Sequence, residues 1–125
     1  MSSVANPFED EALQILSVLI SIPFESCVPV GRDFSGLTTC HSLYAIRHRT
    51  DGLLYIGKSQ NPRQRFSGGH KALVWSWLEF YNPSDVRITT YPLNYGQWSQ
   101  LSLTLEALII RATEPPFNVR IPMRD

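Results

Sequence analysis

Glu106 is the only charged residue between Leu101 and Ile110, a run that as a helix is apolar nearly all round and therefore well buried. A carboxylate in such surroundings is costly unless it is paired or binds a metal ion. One carboxylate suits magnesium (or manganese), an ion that keeps most of its waters and takes up a substrate phosphate. The competing reading is a glutamate on the one exposed stripe of that helix. No second acidic residue stands at a spacing that would support two-metal chemistry. Upstream, Arg65 offers a planar fork that matches a phosphate bidentately, although a lone arginine on a helix is more often a solvated surface group. Arg63, on the same short segment, is a surface residue or a non-specific contact to a nucleic-acid backbone. His70, one turn past Arg65, can donate a proton to a leaving oxygen or cap a following helix. Tyr44 and Tyr55 fall in two apolar, alternating segments, where each is either a reactive phenol or an ordinary strand aromatic. Cutting a phosphodiester requires an activated water, a cation opposite the pentacovalent phosphate and help for the leaving oxygen. These residue types can supply all three.

The elements that would hold them follow from the patterning. Asn6-Pro7 with Glu9, Asp10 and Glu11 reads as a helix start, and Leu13, Ile15, Leu16, Leu19 and Ile20 form a broad apolar stripe. Residues 23–39, rich in Pro, Gly, Ser and Thr, read as a wrapping arm. Residues 42–47 and 53–57 read as two strands joined at Thr50-Asp51-Gly52, a hairpin that would let Tyr44 and Tyr55 approach across the strands. Asn61-Pro62 opens a short helix, and Gly68-Gly69 separates it from a second helix through Trp75, Leu78 and Glu79. Residues 85–91 read as a third strand. A last helix from about Trp98 to Ala112 stops at Pro115-Pro116. The expected fold class is α+β, a small, mostly antiparallel three-stranded sheet flanked by helices, preceded by an N-terminal helical arm. Trp75, Trp77, Phe80 and Tyr81 could form a stacking platform for single strands, but at helical spacing they read as core.

Composition narrows the class. The chain has 125 residues, 43% of them hydrophobic, the profile of one globular domain. Lysine plus arginine equal aspartate plus glutamate at 11 each, so the whole molecule has no excess positive charge. The basic residues cluster, however: Arg47, His48, Arg49, Lys58, Arg63, Arg65, His70 and Lys71 give the middle of the chain a positive local field. Cys27 and Cys40 form neither a disulfide framework nor a zinc pattern. The apolar run 12–24 has an acidic flank, is broken by Gln14, Ser17, Ser21 and Pro23, and is shorter than the roughly 20 residues a membrane span needs. The cytoplasm is the expected location.

Residues 42 to about 120 resemble the GIY-YIG nuclease family. Ser42-Leu43-Tyr44 stands where that family has Gly-Ile-Tyr, and Tyr55-Ile56-Gly57 is its second half-motif unchanged. Arg65 lies eight residues past the motif glycine, the family's spacing for its arginine. Leu105-Glu106-Ala107-Leu108-Ile109 is similar to the helix bearing its metal-binding glutamate, and Pro116-Phe117-Asn118 to its closing proline and asparagine. The first glycine is absent, the tyrosine is not. The resemblance implies a metal-dependent DNA endonuclease with Tyr44, Tyr55, Arg65, His70, Glu106 and Asn118 as catalytic residues and Glu106 as metal ligand. Tyr44 would be the base, directly or by relay. Its hydroxyl ordinarily titrates near 10, so Arg65 or Lys58 would have to favour the phenolate. Gly57, Lys58 and Arg63 would line the substrate, Gly57 because a side chain there would obstruct phosphate or chain. Asn118 would orient Glu106 or a metal-bound water, or simply cap the last turn. Residues 1–37 are then a helix and wrapping arm, and 38–125 the nuclease-like domain. The arm would pack in cis or mediate a homodimer or a larger assembly. From a different class, the chain could be a non-cleaving DNA-binding or assembly module that retains the fold.

Overall fold

The computed structural model describes residues 7–30, 34–70 and 81–120. Its elements are α1 (Glu9–Ser21), β1 (Val28–Pro29), β2 (Ser42–His48), β3 (Gly52–Ser59), α2 (Pro62–Ser67), β4 (Val86–Pro92), α3 (Ser102–Thr113) and α4 (Pro116–Arg120). The expected helix through Trp75, with Lys71, Trp77 and Phe80, lies outside the described residues.

The fold class is the expected α+β, with one more strand than the sequence suggested. The sheet has four strands in the order β1-β4-β2-β3, all pairings antiparallel. The extra strand is only two residues of the arm, Val28 and Pro29, laid against Ile88 and Arg87 of β4. Two residues carry no alternating pattern to read, and a proline is tolerated there because an edge strand leaves one side of its backbone unpaired. Tyr44 pairs with Gly57 and Ile46 with Tyr55, but Arg47 pairs with Leu53, so Leu54 is an extra residue in β3. This bulge turns both Leu54 and Tyr55 toward the same core. At the hairpin end Gly52 has φ +79°, a backbone that favours glycine, and His48 Nδ1 accepts from the Thr50 and Asp51 amides at 3.2 and 3.0 Å.

Each sheet face buries its own core. On one side Tyr44, Ile46, Tyr55 and Ile88 pack with Phe34, Leu37, Phe66 and Phe117. On the other, Leu43, Ala45 and Ile56 meet Ala12, Ile15, Leu16 and Leu19 of α1 and Leu105 and Ile109 of α3. The N-terminal helix therefore packs in cis. It begins at Glu9, and its last turn has no basic residue of its own. Arg47 supplies that charge from β2, donating from Nη1 to the carbonyls of Leu19 and Ile22 at 3.3 and 2.7 Å, while the Thr89 hydroxyl donates to Leu19 at 3.1 Å. The same arginine nitrogen donates to Cys27 Sγ at 3.1 Å, and burial pushes that thiol up, with Arg47 and Arg87 pulling the other way. Arg49 pairs with Glu25 and, at 3.0 Å, with Asp85, which ties the arm to the ends of β2 and β4. Two arginines of the basic cluster thus serve internal contacts.

Among the described residues no helix is long and apolar enough to cross a membrane. Deleting residues 1–37 removes Ile15, Leu16 and Leu19 from the core, a loss of about 5–9 kcal/mol at the usual value per buried aliphatic side chain. That approaches the whole stability of an ordinary domain. The truncated chain should show no cooperative thermal transition and should aggregate; a soluble fragment melting within a few degrees of the full chain would make α1 a detachable tail.

Candidate active site

Tyr44, Tyr55, Phe66 and His70 form one buried aromatic pocket on the arm-covered face of the sheet. The Tyr44 hydroxyl and His70 Nε2 are 2.5 Å apart. The Tyr44 ring stands edge-on to Phe66 at 5.1 Å and to His70 at 5.4 Å, and its centroid is 6.1 Å from that of Tyr55. His70 lies between, edge-on to Tyr55 at 5.1 Å and stacked on Phe66 at 4.8 Å with 10° between planes. Strand register produces half of this arrangement. Tyr44 and Tyr55 sit on the same face, diagonal neighbours across the β2–β3 ladder. The turn after α2 produces the rest: Gly69, at φ +95°, turns the chain so that His70 enters the pocket.

Gly57 has a more specific task than leaving room for a phosphate. A Cβ at that position would overlap the Tyr44 hydroxyl and lie 2.5 Å from the ring carbon that bears it. The cross-strand partner of Tyr44 must therefore be glycine for the ring to lie flat over β3 and reach His70. Ser42, where the family glycine is missing, is fully buried, and its hydroxyl donates to the Cys40 carbonyl at 2.8 Å. The first half-motif accommodates its serine without disturbing Tyr44.

The remaining expected residues lie on α2, β3, α3 and α4, and the helix that carries Glu106 covers the opposite face of the sheet. Arg65 is half-buried on α2 and, with Ser59, Gln60, Asn61 and Gln64, lines a cavity of about 260 Å³. Asn61 caps α2 by accepting the Gln64 amide at 3.1 Å, which sets where that helix starts. Glu106 is buried on α3, between Leu105 and Ala107 on a helix that packs against β3 and α1. The exposed-stripe reading of this glutamate is thereby removed. Lys58 follows Gly57, so it projects to the other face of the sheet, where Nζ sits 5.2 Å above the ring of Trp98. Arg63 is exposed, but its guanidinium donates to the arm carbonyls of Leu37 and Ser35 at 3.0 Å each.

Asn118 differs most from expectation. Its Oδ1 accepts from the Ile56 amide and its Nδ2 donates to the Ile56 carbonyl, both at 2.8 Å. The side chain completes the outer edge of β3 at the centre of Tyr55-Ile56-Gly57, and both ends of its carboxamide serve backbone. β3 is the terminal strand of the sheet, so these two groups would otherwise be buried without a partner. The sequence read Asn118 as orienting Glu106 or capping a turn because nothing local announces a partner 62 positions away. Phe66, which stacks His70, was also not singled out. Its only sequence signal is that it follows Arg65 in the short helix, where an apolar residue must face the sheet.

Gly57→Ala should force the Tyr44 ring off His70. The expected cost is about 1–3 kcal/mol of overpacking, with loss of whatever activity depends on that hydrogen bond. A melting temperature and activity equal to wild type would show that the pocket adapts.

The family model for the GIY-YIG catalytic domain matches residues 40–119, which include the hairpin, α2, α3 and Asn118. No curated protein and no solved structure matches the chain. Nucleases with this domain generally depend on a divalent metal ion. The match covers more than half of the chain, and this chain belongs to the GIY-YIG nuclease family.

Proposed function

We propose that the chain is a metal-dependent DNA endonuclease whose site comprises Tyr44, Tyr55, Arg65, His70 and Glu106. The observation that carries this reading is the Tyr44–His70 contact inside a closed aromatic pocket. A phenol and an imidazole at that separation can exchange a proton without bulk water. With His70 neutral and accepting at Nε2, the phenol passes its proton to the imidazole. Tyr44 is fully buried, so the pocket must open to admit water and phosphate. The phenolate then takes a proton from the attacking water, and the imidazolium returns the first proton to the leaving oxygen. The proton count closes over one hydrolysis, and both groups end as they began. Tyr55, edge-on to His70, holds the ring in its plane of transfer. Arg65, which lines the cavity, would grip phosphate in a bidentate manner. Gly57 acts through Tyr44, Asn118 through the Ile56 backbone, and Lys58 from the far face through longer-range attraction for the DNA backbone.

The donor set fits a hard divalent ion. Among the described residues no group of three or more His, Cys, Asp or Glu side chains comes together, and Glu106 is a single buried carboxylate. An oxygen donor of that kind suits magnesium or manganese, with water and substrate phosphate as the other ligands. When bound, such an ion polarises the phosphate and offsets its charge.

Supercoiled plasmid incubated with magnesium, with and without a chelator, tests the reading. Wild type should nick it and the chelator should stop the reaction; Glu106→Gln should neither cut nor respond to magnesium in cleavage or thermal melts. Magnesium-dependent cutting by Glu106→Gln would place the metal elsewhere. Binding without cutting by wild type, in either metal, would establish the non-cleaving module instead.

Tyr44→Phe keeps the ring and its packing, so DNA affinity should persist while turnover falls by roughly 10²–10⁴ and the pH profile changes. Stability should drop by about 1–3 kcal/mol, because His70 loses a buried partner. Unchanged turnover with an unchanged pH profile would make Tyr44 a packing residue only.

A further inference from the structure

Residues 34–38 precede the stretch matched by the family model, yet they contact the helix that carries Arg65 at several points. Arg63 of α2 donates from Nε to the Leu37 carbonyl and from Nη2 to the Ser35 carbonyl, both at 3.0 Å. Its backbone amide donates to the Thr38 carbonyl at 3.2 Å, and the Leu37 amide closes a turn onto Phe34 at 2.9 Å. Phe34 and Leu37 are themselves buried in the Tyr44 core, and the Phe34 ring lies 5.7 Å from that of Phe66. Phe66 in turn stacks on His70.

α2 has six residues, fewer than two turns, and a helix that short has no stability of its own in water. Its orientation must come from what it touches. The Asn61 cap fixes where it starts but not the angle at which it leaves β3. We propose that residues 34–38 are a strap that positions α2, holding Arg65 at the cavity and, through Phe66, His70 against Tyr44. Arg63 is then a positioning residue and not a phosphate ligand. Its fork meets two carbonyls at once, which a single ammonium cannot reproduce. The strap's effect on turnover rests on the nuclease reading above; its effect on α2 rests on geometry alone.

Arg63→Lys and Phe34→Leu in the full chain provide the test, read by amide hydrogen exchange and by plasmid-nicking kinetics. Arg63→Lys keeps the charge and removes the fork; Phe34→Leu reaches the strap without altering any group near phosphate. In both, α2 amides should exchange about tenfold faster or more while β2 and β3 keep wild-type protection, and kcat should fall about tenfold or more with KM little changed. Wild-type α2 protection in Arg63→Lys would overturn the strap. So would a raised KM with α2 protected, the signature of a lost phosphate contact. If Phe34→Leu does not fold, Arg63→Lys decides alone, since it alters only an exposed side chain. If wild type cuts no DNA, the nuclease reading fails, while the exchange data still decide whether the strap holds α2.

Discussion

The site depends on one close approach, the Tyr44 ring lying over the backbone of Gly57. Register places the two residues opposite each other, and the missing Cβ lets a fully buried aromatic lie across the neighbouring strand. From that position its hydroxyl meets a group from outside the hairpin. His70 is such a group, delivered by α2 and the Gly69 turn. The half-motif glycine is therefore a packing constraint with a chemical consequence: it sets where a phenol ends.

Most of the surrounding structure keeps that approach in place. Asn118 closes the outer edge of β3 at Ile56, immediately beside Gly57, so the strand cannot shift away from the ring. α1 and α3 cover the opposite face and make the sheet the middle layer of a sandwich, which stiffens both half-motifs at once. Arg47 and Thr89 tie the end of α1 to the sheet, and the Arg49–Asp85–Glu25 network ties the arm to the strand ends. The arm is part of the architecture around the site: Phe34 and Leu37 belong to the same core as Tyr44.

Charge is distributed differently from its order along the chain. The basic cluster around residues 47–71 suggests a continuous positive surface, but Arg47 caps a helix, Arg49 is ion-paired and Arg63 bonds to carbonyls. Lys58 lies over Trp98 on the α1–α3 face of the sheet, while Arg65 lines a separate cavity on α2. A substrate backbone meeting this surface would encounter separated cations more than a stripe, in keeping with a chain whose acids and bases are equal in number.

The sequence by itself determined most of the described elements and their order, because periodicity, caps and turns are local. The hairpin at Thr50-Asp51-Gly52, the Asn61-capped helix, the strand from about residue 85 and the buried glutamate helix were all legible that way. Only the tertiary structure decided which groups meet. The pairing of Tyr44 with His70, the carboxamide of Asn118 on Ile56, the grip of Arg63 on the arm and the two-residue strand β1 all join segments far apart in the chain. Such contacts are set by register and by the angle at which layers pack. A side chain's type limits what it can bond to, but its partner is chosen by the fold that brings the two together.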